Sequence, residues 1–224
     1  MLGARAVRSL FTTGGVLIAV VMGSSPALAS ASDWTVGYYT PSPHGTLSFA
    51  SADALDNGVA TFNFTNQDHT ALLATDHGAS KGTLLGDLRG QSITVTFDIS
   101  GATGGAFTYF GEGTPSNPCG TPANVRIYFQ TSNAGGFDFT HFWWSDTAFA
   151  LLDNGTFSLT ANVSPAGWSD WNGKQATDNV AAFSDAASNV TLIGLSYGGG
   201  CFFENGVGTA DGSGTFNLDS FTVT

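Results

Sequence analysis

The sequence predicts an all-β fold, a two-sheet antiparallel β-sandwich of jelly-roll type with one short helix and one disulfide. Three observations point there. Charged residues make up only 10% of the chain. Long amphipathic helices need many Glu, Lys and Arg on their wet face; here Thr, Ser and Asn must fill that role, which suits strands. Apolar and polar residues alternate over a series of short segments parted by Gly-rich turns, the pattern of a sandwich. A single stretch carries helical spacing instead.

The chain opens with a secretory signal. Residues 1–9 hold Arg5 and Arg8 and no acid, residues 10–22 are mostly apolar, and Pro26 precedes Ala27-Leu28-Ala29. Small residues at Ala27 and Ala29 fit a signal-peptidase site. The apolar run is too short to span a bilayer, which takes about 20 residues. Residues 1–29 are therefore expected to be cleaved, leaving residues 30–224 as one secreted, extracellular domain.

Residues 30–57 read as irregular, punctuated by Pro41, Pro43 and Gly45. Alternation then takes over. A strand is expected over 59–65 with Phe62 and Phe64 on one face. The clearest runs over 92–100, with Ile93, Val95, Phe97 and Ile99 opposed to Ser92, Thr94, Thr96 and Asp98. Others are expected over 106–110, 124–131, 139–145, 155–163, 190–197 and 214–224. Residues 178–189 space Val180, Phe183 and Ala187 at helical intervals, with Asp178 as the N-cap.

Cleavage changes the charge and the chemistry. Both methionines, Met1 and Met22, leave with the leader, and the remaining basic residues are Lys81, Arg89, Arg126 and Lys174 against all 17 acids. So acidic a surface repels nucleic acid phosphates and anionic lipid heads. It admits neutral sugars and metal cations. No nucleic acid partner, no membrane insertion after cleavage and a monomeric state are expected. Cys119 and Cys201 are the only cysteines, and an isolated pair in an exported chain forms one disulfide. Closing a loop of this size stabilises by about 4–5 kcal/mol on the chain-entropy model.

Aromatics mark the candidate ligand site. In Phe142-Trp143-Trp144-Ser145-Asp146 the two indoles must face opposite sides of a strand. An outward indole is a platform for a sugar ring, whose hydroxyls amides, carboxylates and guanidinium groups bind. Arg126, Tyr128 and Gln130 share the face opposite Val125, Ile127 and Phe129. The expected contact strip is Trp143, Tyr128, Arg126 and Gln130, with Tyr109 and Glu204 next. Trp168 and Trp171 lie three apart on an expected loop just before an Asn172-Gly173 turn signal and read as a ligand lid or as a lip packed over the sandwich edge.

Glu112 and Glu204 are the only glutamates, each a few residues from a cysteine. Brought together, they could serve glycoside hydrolysis or a structural Ca²⁺. No His pair has zinc-binding helical spacing, and no Gly-x-Ser-x-Gly nucleophile motif occurs.

Residues 84–224 resemble the galactose-binding-like jelly rolls that include many carbohydrate-binding modules of secreted bacterial proteins. The resemblance rests on Leu88-Arg89-Gly90-Gln91-Ser92-Ile93-Thr94-Val95-Thr96-Phe97, on the helical turn 181–187 followed by Val190-Thr191-Leu192-Ile193-Gly194-Leu195, and on Asn217-Leu218-Asp219-Ser220-Phe221-Thr222-Val223. It implies a structural calcium held in part by Asp219. Together these readings predict a secreted, non-catalytic protein that binds carbohydrate or a cell-surface glycan. The alternatives are a glycan-active hydrolase using the Glu pair, and a structural surface or adhesion module.

Overall fold

In the computed structural model the alternating segments become two antiparallel sheets facing each other across an aromatic core. Residues 33–39, 47–53, 59–67, 69–76, 84–114, 121–200 and 205–224 are described. The leader, Cys119, Cys201 and Glu204 lie outside them. The strands are β1 (Thr35–Tyr39), β2 (Leu47–Ser51), β3 (Ala60–Asn63), β4 (Thr70–Thr75), β5 (Ser92–Ser100), β6 (Thr108–Tyr109) and β7 (Asn124–Thr131). They continue as β8 (Phe142–Leu151), β9 (Gly155–Asn162), β10 (Trp168–Asp170), β11 (Val190–Gly198), β12 (Val207–Gly208) and β13 (Thr215–Val223), with one helix, α1 (Val180–Ala187). Among the described residues no helix is long and apolar enough to cross a membrane.

The smaller sheet, in the order β3-β13-β5-β9, keeps the alternation that predicts it. On β5, Ile93, Val95, Phe97 and Ile99 are buried while the Ser, Thr and Asp between them are half-buried. One face is core and the other is wetted by hydroxyls, as an antiparallel sheet permits. The larger sheet runs β10-β8-β7-β11-β4-β1-β2, with β12 joining β4 to β6. The sheets meet at Phe216 of β13. Its ring lies 4.9 Å from Phe97, 5.1 Å from Phe62 and 5.7 Å from Tyr197 of the opposite sheet.

Several local expectations change, among them the strand expected over 139–145, which opens as a 3-10 turn at Phe139–His141 and then runs from Phe142 to Leu151. The N-cap of α1 is Asn179, whose side chain makes no capping bond, and Asp178 instead closes a 3-10 turn over Ala176–Asp178. Starting there, the helix buries Phe183, Ala186 and Ala187 and turns Val180 outward, 51% exposed. Residues expected to be irregular contain β1 and β2, paired from Thr35–Ser51 to Tyr39–Leu47. Strand β4, unforeseen, is a nearly continuous buried run, TALLAT, and such a run has no period of two to betray it. The expected loop at Trp168 begins as an edge strand against β8.

One irregularity sets up the site. Strands β7 and β8 change register between Arg126, opposite Phe149, and Tyr128, opposite Trp144. The extra β8 residues form a bulge facing Ile127, which leaves ladder groups without strand partners. The fully buried Ser145 replaces them: its Oγ accepts from the Ile127 N–H at 3.0 Å and donates to the Ala148 carbonyl at 2.6 Å. Ser145→Ala strands both buried backbone groups and is expected to cost about 1–3 kcal/mol, read as a lower urea midpoint at unchanged slope.

Candidate functional site

The register below the bulge decides which tryptophan faces which way. Trp143 lies opposite Phe129 and Trp144 opposite Tyr128. Directly paired residues share a face, so Trp143 joins Phe129 in the core and Trp144 joins Tyr128 on the outer face. Trp143 is fully buried against Phe183, and its indole N–H donates to the Thr140 carbonyl at 2.7 Å. The outward indole is therefore Trp144, and Trp143 leaves the expected contact strip.

The outer face of the larger sheet carries a second aromatic cluster. Tyr128, Phe142 and Trp144 form its buried centre, with Leu72, Leu192 and Trp171 packed against them. Tyr128 and Trp144 lie 4.9 Å apart, and Trp144 stacks over Phe142 at 6.4 Å and 21°. Trp171 stands edge-on to both, 5.9 Å from Trp144 and 5.1 Å from Phe142. Phe137, 59% exposed, closes the corner 5.3 Å from Trp171.

These rings line a groove of about 420 Å³, which Tyr39, Phe49 and Leu72 complete on the side of β1, β2 and β4. Its volume and apolar lining are those of a small-ligand site. Gly194, paired with Tyr128 on the neighbouring strand, keeps the floor flat. A Cβ there would collide with the Leu73 carbonyl oxygen.

Besides Tyr39 and Tyr128, the polar residues of the lining are Gln130, Asn133 and the fully buried Ser196. Each is partly engaged. Ser196 Oγ accepts the Trp144 indole N–H at 2.9 Å. The Tyr128 hydroxyl donates to Gln130 Oε1. Asn133 Oδ1 pairs with His141 Nδ1 at 2.7 Å. Among the described residues none that lines the groove carries a formal charge.

Trp168 and Trp171 divide the two roles foreseen for them. Trp168 is buried 4.9 Å from Phe129 in the core, a packed lip. Trp171 lines the groove, on a turn locked by Asp170. The buried Asp170 carboxylate accepts the N–H groups of Asn172 and Lys174, each at 2.9 Å. Gly173 supplies the positive φ of 74° that the turn needs. Trp171 is thus held in place before any ligand arrives.

The remaining candidates sit elsewhere. Arg126 is on the expected face, but it is 2% exposed and pairs with Asp146 at 3.1 Å. Asp146 also accepts from Ser169 Oγ at 2.7 Å and Gln175 Nε2 at 2.9 Å. That makes Arg126 a buried structural cation outside the groove lining. Tyr109 is buried in the main core; desolvation and the nearby Glu112 raise its pKa. Glu112 is exposed, and its Oε2 accepts the Tyr109 N–H at 3.3 Å. Its hypothesised partner, Glu204, is outside the described residues.

Asp219 lies at the register shift of β13 against β5. Burial and the like charge of Asp98 raise its pKa above the usual 3.8. Among the described residues no group of three or more His, Cys, Asp and Glu is arranged to hold a metal. A raised folded pKa means that the ionised carboxylate strains the native state above pH 3.8, while the protonated form does not. Asp219→Asn is therefore expected to raise the melting midpoint at pH 7 in low salt and leave it unchanged at pH 3. An unchanged midpoint at both would refute the repulsion.

Sequence reasoning missed Trp144, Asn133, Phe137 and Phe142 as groove residues. The density of aromatics between 137 and 144 was the available signal.

No protein-family model matches the chain. No curated protein is similar to it.

Proposed function

We propose that this chain is a secreted, non-catalytic glycan-binding β-sandwich of the galactose-binding-like kind, and that the aromatic groove is its sugar site. One observation carries the reading: Trp144, Trp171 and Tyr128 converge on an uncharged groove with amides at its edge. The C–H faces of a pyranose carry partial positive charge and pack on the negative face of an aromatic ring. Side-chain amides bind its hydroxyls. A preformed groove with a rigid Trp171 turn avoids ordering costs on binding.

Titrating the full chain against a panel of soluble oligosaccharides tests this. At least one neutral sugar should bind, and Trp171→Ala should weaken it about ten-fold or more, the free energy of a lost aromatic contact and the area it buries. Binding to no sugar, or equal binding by wild type and variant, would overturn the reading.

A second reading has its own observation. Phe49, Phe137 and Phe139 are 51%, 59% and 44% exposed, and large exposed rings also serve adhesion between protein surfaces. That reading predicts concentration-dependent self-association lost on Phe137→Ser, which analytical ultracentrifugation would detect.

A further inference from the structure

The groove has two unlike halves. Strands β7, β8 and β11, with the turns beside them, supply the aromatic wall and the amides of Gln130 and Asn133. Strands β1, β2 and β4 supply Tyr39, Leu47, Phe49, Ala71 and Leu72. In that second half Tyr39 is the one polar side chain among the described residues. Ser196 pairs with Leu72 where the halves meet, but it is fully buried and takes up the Trp144 indole N–H.

Phe49 is built into this apolar half. It pairs with Gly37 on β1, and its ring covers that glycine. A Cβ at Gly37 would come within 2.9 Å of Phe49 Cε1. The missing side chain therefore lets the ring lie along the sheet as a lip of the groove, although it is 51% exposed.

A sugar ring suits the first half and not the second. Its edge carries hydroxyls all round, and burying one without a hydrogen-bond partner costs free energy. Hydrocarbon needs no partner, and its burial stabilises in proportion to the area covered. A charged head group fits neither half. Among the described residues no lining residue carries a charge, and the chain's net charge of −11 repels an anion such as a free fatty acid. The volume of about 420 Å³ is that of a site for a drug-sized ligand, with room for a chain beside a sugar ring.

We propose that the groove takes uncharged amphiphilic glycans, sugars that carry an alkyl or acyl chain. The sugar stacks on the Trp144 and Trp171 half, and the chain lies along Leu72, Leu47 and Phe49. The inference rests on the glycan-binding reading and extends it from the sugar to its apolar substituent.

The test titrates the full chain by calorimetry with octyl and methyl β-D-glucopyranoside, and with the corresponding pair of galactopyranosides. The octyl sugars are kept below the concentration at which they form micelles. Each pair shares its sugar and linkage and differs in chain length alone. Burying one methylene tightens binding about three- to four-fold, so burying only three of those added by the octyl chain gains about thirty-fold. At least one octyl glycoside should exceed its methyl partner by that factor or more. Leu47→Asn and, separately, Phe49→Ser should each lower the ratio several-fold, while thermal melting confirms a folded chain. Octyl glycosides that bind no tighter than their methyl partners in either sugar, absence of binding included, would overturn the chain site. A ratio undiminished in both variants would do the same. In either case the oligosaccharide panel decides the glycan reading separately. Octyl glycosides that bind when no sugar of the panel does would overturn the glycan reading and this extension with it.

Discussion

Trp143→Ala should lower the unfolding free energy by about 3–5 kcal/mol, the range for deleting a large buried aromatic. The indole is fully buried, meets Phe183 at 5.1 Å and 85°, and donates to the Thr140 carbonyl at 2.7 Å. Its removal opens a cavity between β8 and α1 and strips Phe183 of its edge-to-face partner. Urea denaturation followed by circular dichroism measures the loss. Trp171→Ala should cost much less, because that ring is partly solvated at the rim of the groove. If Trp143→Ala cost under about 1 kcal/mol, the assignment of this residue to the core would be wrong.

Asp146→Ala should be comparably damaging, for an electrostatic reason. It removes the carboxylate that Arg126, Ser169 and Gln175 all address. The Arg126 guanidinium is 2% exposed, and withdrawing the counter-charge of a buried ion costs about 3–5 kcal/mol. Asp146→Asn keeps the shape and one acceptor oxygen, so its loss should be smaller. The order Ala below Asn below wild type in urea midpoint is the expected result. Equal midpoints for all three would show that the pair contributes nothing.

What was readable in the sequence follows from which forces act along one strand. Strand β5 was legible to the residue because its two faces meet different solvents, and a period of two records that difference directly. Strand β7 was legible in extent and in phase, but its outer face was not. Arg126 and Tyr128 are buried there by β8, the Trp171 turn and the ion pair, partners that lie far away in sequence.

The choice between Trp143 and Trp144 shows the limit most sharply. Alternation requires them to face apart but does not say which is inward. That depends on the register of β8 against β7, and a bulge stabilised by Ser145 resets it. Trp171 was legible only as a lid or a lip: a turn signal marks where the chain reverses, not which cavity its side chain lines.

The central claim is that sugars bind on the outer face of the larger sheet. The five tryptophans make it directly measurable, since each has one indole N–H resonance and they divide between the core and the groove. An NMR titration of the full chain with the tightest-binding sugar should shift the indole signals of Trp144 and Trp171. Those of Trp34, Trp143 and Trp168, fixed in the core, should stay in place. Saturable binding that leaves Trp144 and Trp171 unmoved would contradict the account and place the site elsewhere on the sandwich.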